Sequence, residues 1–288
     1  MKLRALAPES RCLLAFRGPD AVRYLNGQIT QDVRELGETA LPACVTDAKG
    51  KLQAYVHVLR GPDGSPWVEG PADQREELEA RLGRYLIADD AEIHDVSDEW
   101  QLVHVVDATE PPAVEGGFVR RAKRIGEDGF DLWLPVAAAS SSQPLPDHPE
   151  LPELEILTEA ESETRRILAR LPKWGADLMP GILPPEAGLD RTTVCYHKGC
   201  YIGQEVLSRL KTVGKVNRRL AALLVEPGIA PGTEMELDGK PAGTLTSIAP
   251  WPNESGLHTA LGYLHKSAYE AGELTIPGHG TARVLGFV

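Results

Sequence analysis

Residues 198–205, Lys-Gly-Cys-Tyr-Ile-Gly-Gln-Glu, hold the side chains of this chain that are best suited to chemistry. The thiol of Cys200 stands between Lys198 and Glu205, next to glycines that favour a turn. A helix is predicted directly afterwards, and the N–H groups at a helix N-terminus bind anions and stabilise thiolates. The segment therefore predicts a reactive thiol beside an anion site. A cysteine that packs as a small apolar residue is the structural alternative.

A cluster of basic side chains follows the thiol. Between residues 198 and 219 there are six lysines and arginines against a single carboxylate, Glu205, in a chain of net charge −12. The cluster is interpreted either as a cradle for a carboxylate- or phosphate-bearing ligand or as a solvated helix face. The acidic balance of the whole chain disfavours a nucleic-acid partner, because lysine and arginine contacts with phosphates dominate that affinity.

The cysteines indicate reduced thiols. Cys12, Cys44, Cys195 and Cys200 are too few and too scattered for a disulfide framework in 288 residues. The spacing Cys195-x-His197-x-x-Cys200 lacks the second ligand pair of a structural zinc site, so no metal is expected. Neither a secretory signal nor a membrane-spanning apolar run is evident, and we expect a cytoplasmic protein without a membrane partner.

The first two thirds of the chain read as mixed α and β structure. Residues 11–16 predict a strand, 18–27 a short helix, and 41–46 with 51–59 a hairpin that turns at 47–50. The further elements predicted in this part are a helix at 74–87 with Leu78, Leu82, Tyr85 and Leu86 in the core, strands at 91–96, 101–106, 118–125 and 130–134, and a helix at 158–171.

The remaining segments suggest how the chain is divided. Residues 137–151 predict a mobile connector, and 181–190 are too rich in proline and glycine for regular structure. We expect an α+β region over 1–214 and a second domain over 215–288. Six short predicted strands in the second domain are typical of a closed or nearly closed β-barrel, at 221–225, 234–237, 242–247, 258–264, 273–276 and 282–288.

The chain resembles a known family in several segments. Residues 198–205 resemble the signature of the YgfZ family of tetrahydrofolate-binding proteins, which are related to the aminomethyltransferase (T-protein) of the glycine cleavage system. Four further segments resemble the family in the same order along the chain, at 27–32, 47–51, 184–189 and 242–247. The similarity spans nearly the whole sequence.

The resemblance implies both a fold and a function. The implied fold is α+β, a ring of two mixed α/β subdomains and a C-terminal antiparallel β-barrel with folate in the central opening. The implied cofactor is tetrahydrofolate or a derivative. Family members assist the assembly or repair of iron–sulfur clusters, and through them cluster enzymes that thiolate transfer RNA. The implied partners are therefore iron–sulfur proteins or assembly factors.

The resemblance also assigns roles to residues. Cys200 matches the functional cysteine of the family, and Lys198 beside it is expected to lower the pKa of the thiol. Lys198 and the basic cluster would also bind the glutamate tail of the folate. The residues implied to surround the cofactor are Gln28, Asp32, Asp47, Lys49, Gly199, Tyr201, Gly203, Gln204, Glu205 and Arg209.

Two other functions remain open. The first is a folate-dependent aminomethyltransferase, whose relatives carry an Asn-Ala pair on the strand after the hairpin and an aspartate a few residues later. Here residues 67–70 read Trp-Val-Glu-Gly, with Asp73 and Glu76 nearby, so the asparagine is missing. The second is a folate-binding scaffold that presents Cys200 to a partner without turnover.

Overall fold

A computed structural model describes residues 3–136, 154–214 and 216–288 of the protein. The predicted connector at 137–151 lies outside this part of the chain. Within the described residues, no helix combines the length and the apolar character needed to cross a membrane.

Strands and short helices alternate along the described chain. The strands are β1 (Leu3–Ala5), β2 (Arg11–Arg17), β3 (Leu41–Thr46), β4 (Leu52–Arg60), β5 (Pro66–Pro71), β6 (Glu92–Asp95), β7 (Trp100–Val106), β8 (Phe118–Ala122), β9 (Gly129–Pro135), β10 (Leu154–Ile156), β11 (Arg218–Val225), β12 (Glu234–Leu237), β13 (Lys240–Ile248), β14 (His258–His265), β15 (Glu273–Ile276) and β16 (Gly280–Phe287). The α-helices are α1 (Ala21–Gln28), α2 (Arg75–Gly83), α3 (Glu159–Leu168) and α4 (Gln204–Val213). Single turns of 3₁₀-helix lie at Val33–Glu35, Ala72–Gln74, Pro184–Ala187, Leu189–Arg191 and Lys266–Ala268.

The first sheet has the strand order β3-β4-β5-β2-β6 and is antiparallel. The hairpin between β3 and β4 turns at Asp47, whose Oδ1 accepts hydrogen bonds from the N–H groups of Lys49 (2.8 Å) and Lys51 (2.9 Å). This Asx turn confirms the hairpin predicted from the sequence. Helices α1 and α2 bury apolar side chains such as Leu25 and Leu78 against one face of the sheet. The other face is turned towards the second sheet and the barrel.

The second sheet has the order β10-β1-β7-β9-β8, and only the β1–β10 pair is parallel. It packs on the first sheet through aromatic rings. Trp67 of β5 lies edge-on to Phe118 of β8, with 5.5 Å between ring centroids, and Phe118 stacks on Trp133 of β9. These rings are buried in one cluster with side chains of β2 and β4. Burial of such large apolar surfaces fixes the relative position of the two sheets.

A closed six-stranded barrel follows, in the order β11-β14-β13-β12-β15-β16. This confirms the α+β fold with a C-terminal antiparallel barrel. Met235, Leu245 and Leu274 fill its interior. Leu220 and Leu261 on its outside join a second apolar cluster with Leu52 of β4 and Ile167 of α3, so the barrel rests on the hairpin of the first sheet.

Two predicted helices were wrong in extent. The helix expected at 74–87 ends at Gly83, where a turn begins, and Tyr85 is 49% exposed instead of lying in the core. Glycine is a weak helix former. In the turn that follows, the N–H of Leu86 donates a hydrogen bond to the carbonyl of Gly83. The helix expected at 158–171 ends at Leu168, because Arg170 adopts a left-handed conformation (φ 57°).

The strand expected at 118–125 was also too long, since β8 ends at Ala122 and the chain then turns.

Candidate functional site

The segment 198–205 lies where the sequence predicted it, at the start of a helix. Helix α4 begins at Gln204. Gly203 precedes it with φ 88°, a backbone conformation that residues with a Cβ rarely adopt. Cys200 is exposed, four positions before the helix. Cys200 is thus an accessible thiol close to the start of α4.

The segment is fixed to the hairpin of the first sheet. Thr46 Oγ1 donates a 2.6 Å hydrogen bond to the carbonyl of Ile202, and the N–H of Ile202 donates to the carbonyl of Gly27 at 3.2 Å. A Cβ added at Gly203 would lie 2.7 Å from both the carbonyl oxygen of Asp47 and Thr46 Oγ1. Only glycine permits this approach, so the turn and the segment pack backbone to backbone.

Lys198 is part of the same attachment. Its Nζ is buried and donates to the carbonyl oxygens of Ile29 (2.9 Å) and Gln31 (2.5 Å), below the ring of Tyr201. Burial lowers the pKa of Lys198 to about 8, although the Asp32 carboxylate opposes this shift. The ammonium group therefore ties the segment to the loop after α1.

Most of the other predicted cofactor residues also have protein partners. Gln28 Oε1 accepts a 3.1 Å hydrogen bond from Arg81, and the nearly enclosed carboxylate of Asp32 pairs with Arg34. Glu205 and Arg209 form an exposed ion pair at 2.6 Å on α4.

The remaining predicted residues differ in exposure. Lys49 and Gly199 are exposed, and Gln204 is half-buried. The hydroxyl of Tyr201 is buried and has no hydrogen-bond partner among the described residues. The structure thus brings the three predicted segments, 27–32, 47–51 and 198–205, together around Cys200.

The cations of the basic cluster that the structure describes are not free. Arg218 pairs with Glu186 at 3.1 Å, and Lys211 lies 3.8 Å from the centre of the Tyr196 ring. Arg219 stacks over Phe287 at 4.2 Å. Lys215 lies outside the described residues. The described residues contain no group of three or more His, Cys, Asp or Glu side chains placed to hold a metal ion.

A cavity of about 520 Å³ lies elsewhere, between the two sheets and α3. The face of the first sheet opposite α1 and α2 contributes Tyr55 and His57 from β4, and the second sheet contributes His104 from β7. Cys200, Lys198 and the ten predicted cofactor residues are not on its wall. Tyr55 connects the two regions, because it also packs in the apolar cluster of Cys44, which contacts Thr193 at 3.2 Å (Sγ to Oγ1) just before the segment.

The wall of the cavity contains a buried network of charges. Arg124 donates to Glu69 Oε2 at 2.9 Å and to Asp131 Oδ2 at 2.6 Å, and so links the first sheet to the second. Both carboxylates are fully buried. Arg11 also pairs with Glu69, and His57 Nδ1 lies 3.1 Å from Glu69 Oε2. Two guanidinium groups thus compensate two carboxylates.

The network fixes the protonation states of its members. Burial by itself raises the pKa of Glu69, but Arg11 and Arg124 outweigh it and hold the pKa well below its usual range. Burial raises the pKa of Asp131 too, and Arg124 reverses that effect. Burial lowers the pKa of His57, and Arg124 acts in the same direction. The carboxylates are therefore charged at neutral pH and His57 is neutral.

Sequence reasoning missed these residues, although two signals point to them. Tyr55 and His57 stand two apart on a strand, which places them on one face. Glu69 is a single carboxylate between apolar neighbours in β5, and a charge in such a strand is compensated when it is buried. The position of Arg124, beyond the end of β8, has no comparable signal.

Comparison with known proteins places the chain among curated relatives. No family model matches it. An iron–sulfur cluster assembly factor IBA57 homolog of Pyricularia oryzae is 24% identical over 255 residues, or 85% of this chain and 63% of that protein. An aminomethyltransferase of Rubrobacter xylanophilus is 28% identical over 265 residues, or 81% of this chain and 68% of that protein. The tRNA-modifying protein YgfZ of Cronobacter sakazakii is 27% identical over 255 residues, or 82% of this chain and 76% of that protein. The chain thus spans less than two thirds of the first of these relatives.

The fold matches a solved structure over almost its full length. Glycine cleavage system aminomethyltransferase T of Bartonella henselae superposes with a TM-score of 0.79 and covers 99% of this chain and 84% of its own. At 18% identity, this likeness concerns the fold alone. It shows that the chain has the aminomethyltransferase fold, and the relatives named IBA57 and YgfZ, each less than 30% identical, show that the chain is similar to YgfZ-like proteins.

Proposed function

We propose that this chain is a tetrahydrofolate-binding factor that assists the assembly or repair of iron–sulfur clusters through the thiol of Cys200. The observation that carries the proposal is that Cys200 is exposed on a segment held by Thr46 and Lys198. A thiol in this position can react with a partner protein without rearrangement of the core. The names of the relatives, an iron–sulfur cluster assembly factor and a tRNA-modifying protein, support this class of function.

The proposed partners are iron–sulfur proteins or their assembly factors, and the proposed compartment is the cytoplasm. Neither a membrane nor a nucleic acid is proposed as a direct partner.

The size of the cavity and the chemistry of its wall support folate as the proposed ligand. Its volume of about 520 Å³ is in the range of pockets that enclose small ligands. Tyr55 and His57 offer ring surfaces to a planar heterocycle. Lys123 and Lys173 pair with Asp128 and Glu163, but their side chains are more than half exposed, so their ammonium groups can exchange these partners for the carboxylates of a glutamate tail. A bound tetrahydrofolate would supply a carrier for one-carbon units.

The first experiment tests the thiol. Replacement of Cys200 by alanine should abolish rescue of iron–sulfur enzyme activity in a cell that lacks this protein, and folate binding should persist because Cys200 is not on the cavity wall. Cys195→Ala is the matched control, since it removes a nearby, half-buried thiol. Full rescue by the Cys200→Ala variant contradicts the proposed role.

The second experiment tests folate and locates its tail. Calorimetric titration with mono- and polyglutamylated tetrahydrofolate at two salt concentrations should show tighter, salt-sensitive binding of the longer tail. A Lys123→Ser, Lys173→Ser double variant should lose this preference if the tail lies at the cavity, and Arg209→Ser should lose it if the tail lies on the basic cluster. Equal affinities for both ligands reject a protein site for the extended tail.

An aminomethyltransferase is the second candidate, because one relative carries that name and Asp73 lies on the cavity wall. The carboxylate of Glu69 is less suited to an incoming amine, since Arg11 and Arg124 already bind it. Incubation with aminomethylated carrier protein and tetrahydrofolate separates the candidates. We expect no methylene-tetrahydrofolate, and steady turnover would establish the transferase instead.

A further inference from the structure

His57 is the more exposed of the two imidazoles that the buried charge network places on the cavity wall. Its side chain is 9% exposed and lies on the cavity wall. Nδ1 lies 3.1 Å from Glu69 Oε2, whereas Nε2 has no hydrogen-bond partner among the described residues. A polar atom that is enclosed to this degree and has no protein partner needs a water or a ligand.

The network decides which role the Nε2 atom plays. A carboxylate can only accept, and Glu69 Oε2 is the nearer neighbour of Nδ1, which favours the tautomer with the proton on Nδ1. Arg124 lies farther from Nδ1, at 3.5 Å, and donates to Glu69 at 2.9 Å. Burial and Arg124 both lower the pKa of His57, so the ring does not take a second proton at neutral pH. In this tautomer Nε2 is a bare acceptor.

The surroundings of His57 suit a flat ligand. The ring of Tyr55 stands edge-on to His57, with 5.6 Å between centroids and an interplanar angle of 77°. Tyr55 is also on the cavity wall. An aromatic surface next to a single fixed acceptor matches a planar heterocycle that carries N–H groups along one edge.

We infer that His57 recognises an N–H group of a planar heterocyclic ligand in this cavity, and that Glu69 is the positioning residue that holds the acceptor in place. The inference rests on the proposed function, in which that heterocycle is the reduced pterin of tetrahydrofolate. It adds to that function a residue that binds the pterin end of the ligand and not its glutamate tail.

His104 provides an internal comparison. It is bound to the second carboxylate of the network in the same way, with Nδ1 2.8 Å from Asp131 Oδ1. Its side chain is only 1% exposed, and its unpartnered Nε2 is closed off from solvent. Of the two carboxylate-bound imidazoles, only His57 is open enough for ligand contact.

The test compares two substitutions with two ligands. In His57→Asn the carboxamide nitrogen takes the place of Nδ1 and keeps the bond to Glu69, while the acceptor at the Nε2 position is lost. His104→Asn makes the same change at the enclosed ring. The ligands are tetrahydrofolate and p-aminobenzoylglutamate, which has the tail but no pterin, and affinities are measured by calorimetry.

The expected result is specific to one variant and one ligand. His57→Asn should weaken tetrahydrofolate binding about 10-fold, the usual effect of one lost hydrogen bond, and leave p-aminobenzoylglutamate unchanged. His104→Asn should change neither affinity. His57→Gln, whose carboxamide reaches the Nε2 position, should bind tetrahydrofolate better than His57→Asn, and it keeps the test informative if the asparagine variant does not fold.

Three results overturn the inference. Wild-type affinity of His57→Asn for tetrahydrofolate removes the role of His57, and equal weakening of both ligands shows a general disturbance of the cavity. Equal weakening by His57→Asn and His104→Asn assigns the effect to the network and not to ligand contact. If the wild-type protein binds neither ligand, the proposed folate function itself fails.

Discussion

Thr46 Oγ1, at the end of β3, donates a 2.6 Å hydrogen bond to the carbonyl of Ile202, 156 residues later in the chain. This bond lies beside the backbone contact of Gly203 with Asp47. Two segments that resemble one family in sequence, the hairpin turn and the cysteine segment, thus form one structural unit. Cys200 owes its fixed position to that unit.

Substitution of Gly203 by alanine should loosen this unit. The added Cβ would lie 2.7 Å from two oxygen atoms and would have to adopt φ 88°, so we expect a loss of about 1–3 kcal/mol in the free energy of unfolding. Urea denaturation measures it. Gly199→Ala is the matched control, because nothing lies within 4 Å of its added Cβ and its φ is not positive. Equal stabilities of the two variants would contradict the packing described here.

The cysteines should differ in their reaction with iodoacetamide. Burial raises the pKa of both Cys12 and Cys44 to about 12, so these thiols are enclosed and protonated in the native protein. Exposed Cys200 should be alkylated first, and Cys195, which is half-buried, more slowly. Mass spectrometry of peptides at successive times gives the order. In urea all four cysteines should react. Labelling of Cys44 before Cys200 in the native protein would contradict the burial of Cys44 and the exposure of Cys200.

Lys198 should make the stability of the protein depend on pH. Because its folded pKa of about 8 lies below the ordinary value of 10.5, the unfolded chain binds more protons between these values. The free energy of unfolding of the wild type should therefore rise, relative to that of Lys198→Met, as the pH increases from 8 to 10. Chemical denaturation at several pH values measures the difference. Lys49→Met, which changes an exposed lysine, should show no such trend.

Loss of Arg124 should be among the most damaging single changes. Its replacement by methionine leaves Asp131 without its guanidinium partner and Glu69 with Arg11 alone, and breaking a buried ion pair in this way costs about 3–5 kcal/mol. Thermal and urea unfolding measure the effect. Arg209→Met removes an exposed ion pair of α4 and should be close to neutral. A mild effect of Arg124→Met would mean that water enters this wall and replaces the guanidinium.

The sequence predicted what depends on local pattern. Each barrel strand was placed within three residues of its observed start, and the hairpin at Asp47 and the helix after Gly203 were found, because turn residues and alternation mark them. Strands β1 and β10 were missed, since each has three residues and is stabilised by pairing between distant parts of the chain. Short strands of this kind carry no periodicity.

The functional residues divide in the same way. Cys200 and its segment were visible as a motif. The cavity was not, because His57, Glu69 and Arg124 are separated along the chain and meet only after two sheets have packed through Trp67 and Phe118. A compensated buried charge becomes recognisable only when its partner is known.

The position of Arg124 has a mechanical consequence. Because one guanidinium holds a carboxylate of each sheet, the sheets cannot move apart at this wall without exposing two unpaired charges in the interior. The width of the cavity is therefore rigid along this side, and a ligand has to suit a preset gap. We expect the protein to discriminate among ligands by their thickness and by the hydrogen-bonding groups along their edges. Binding then requires no free energy to separate the two sheets.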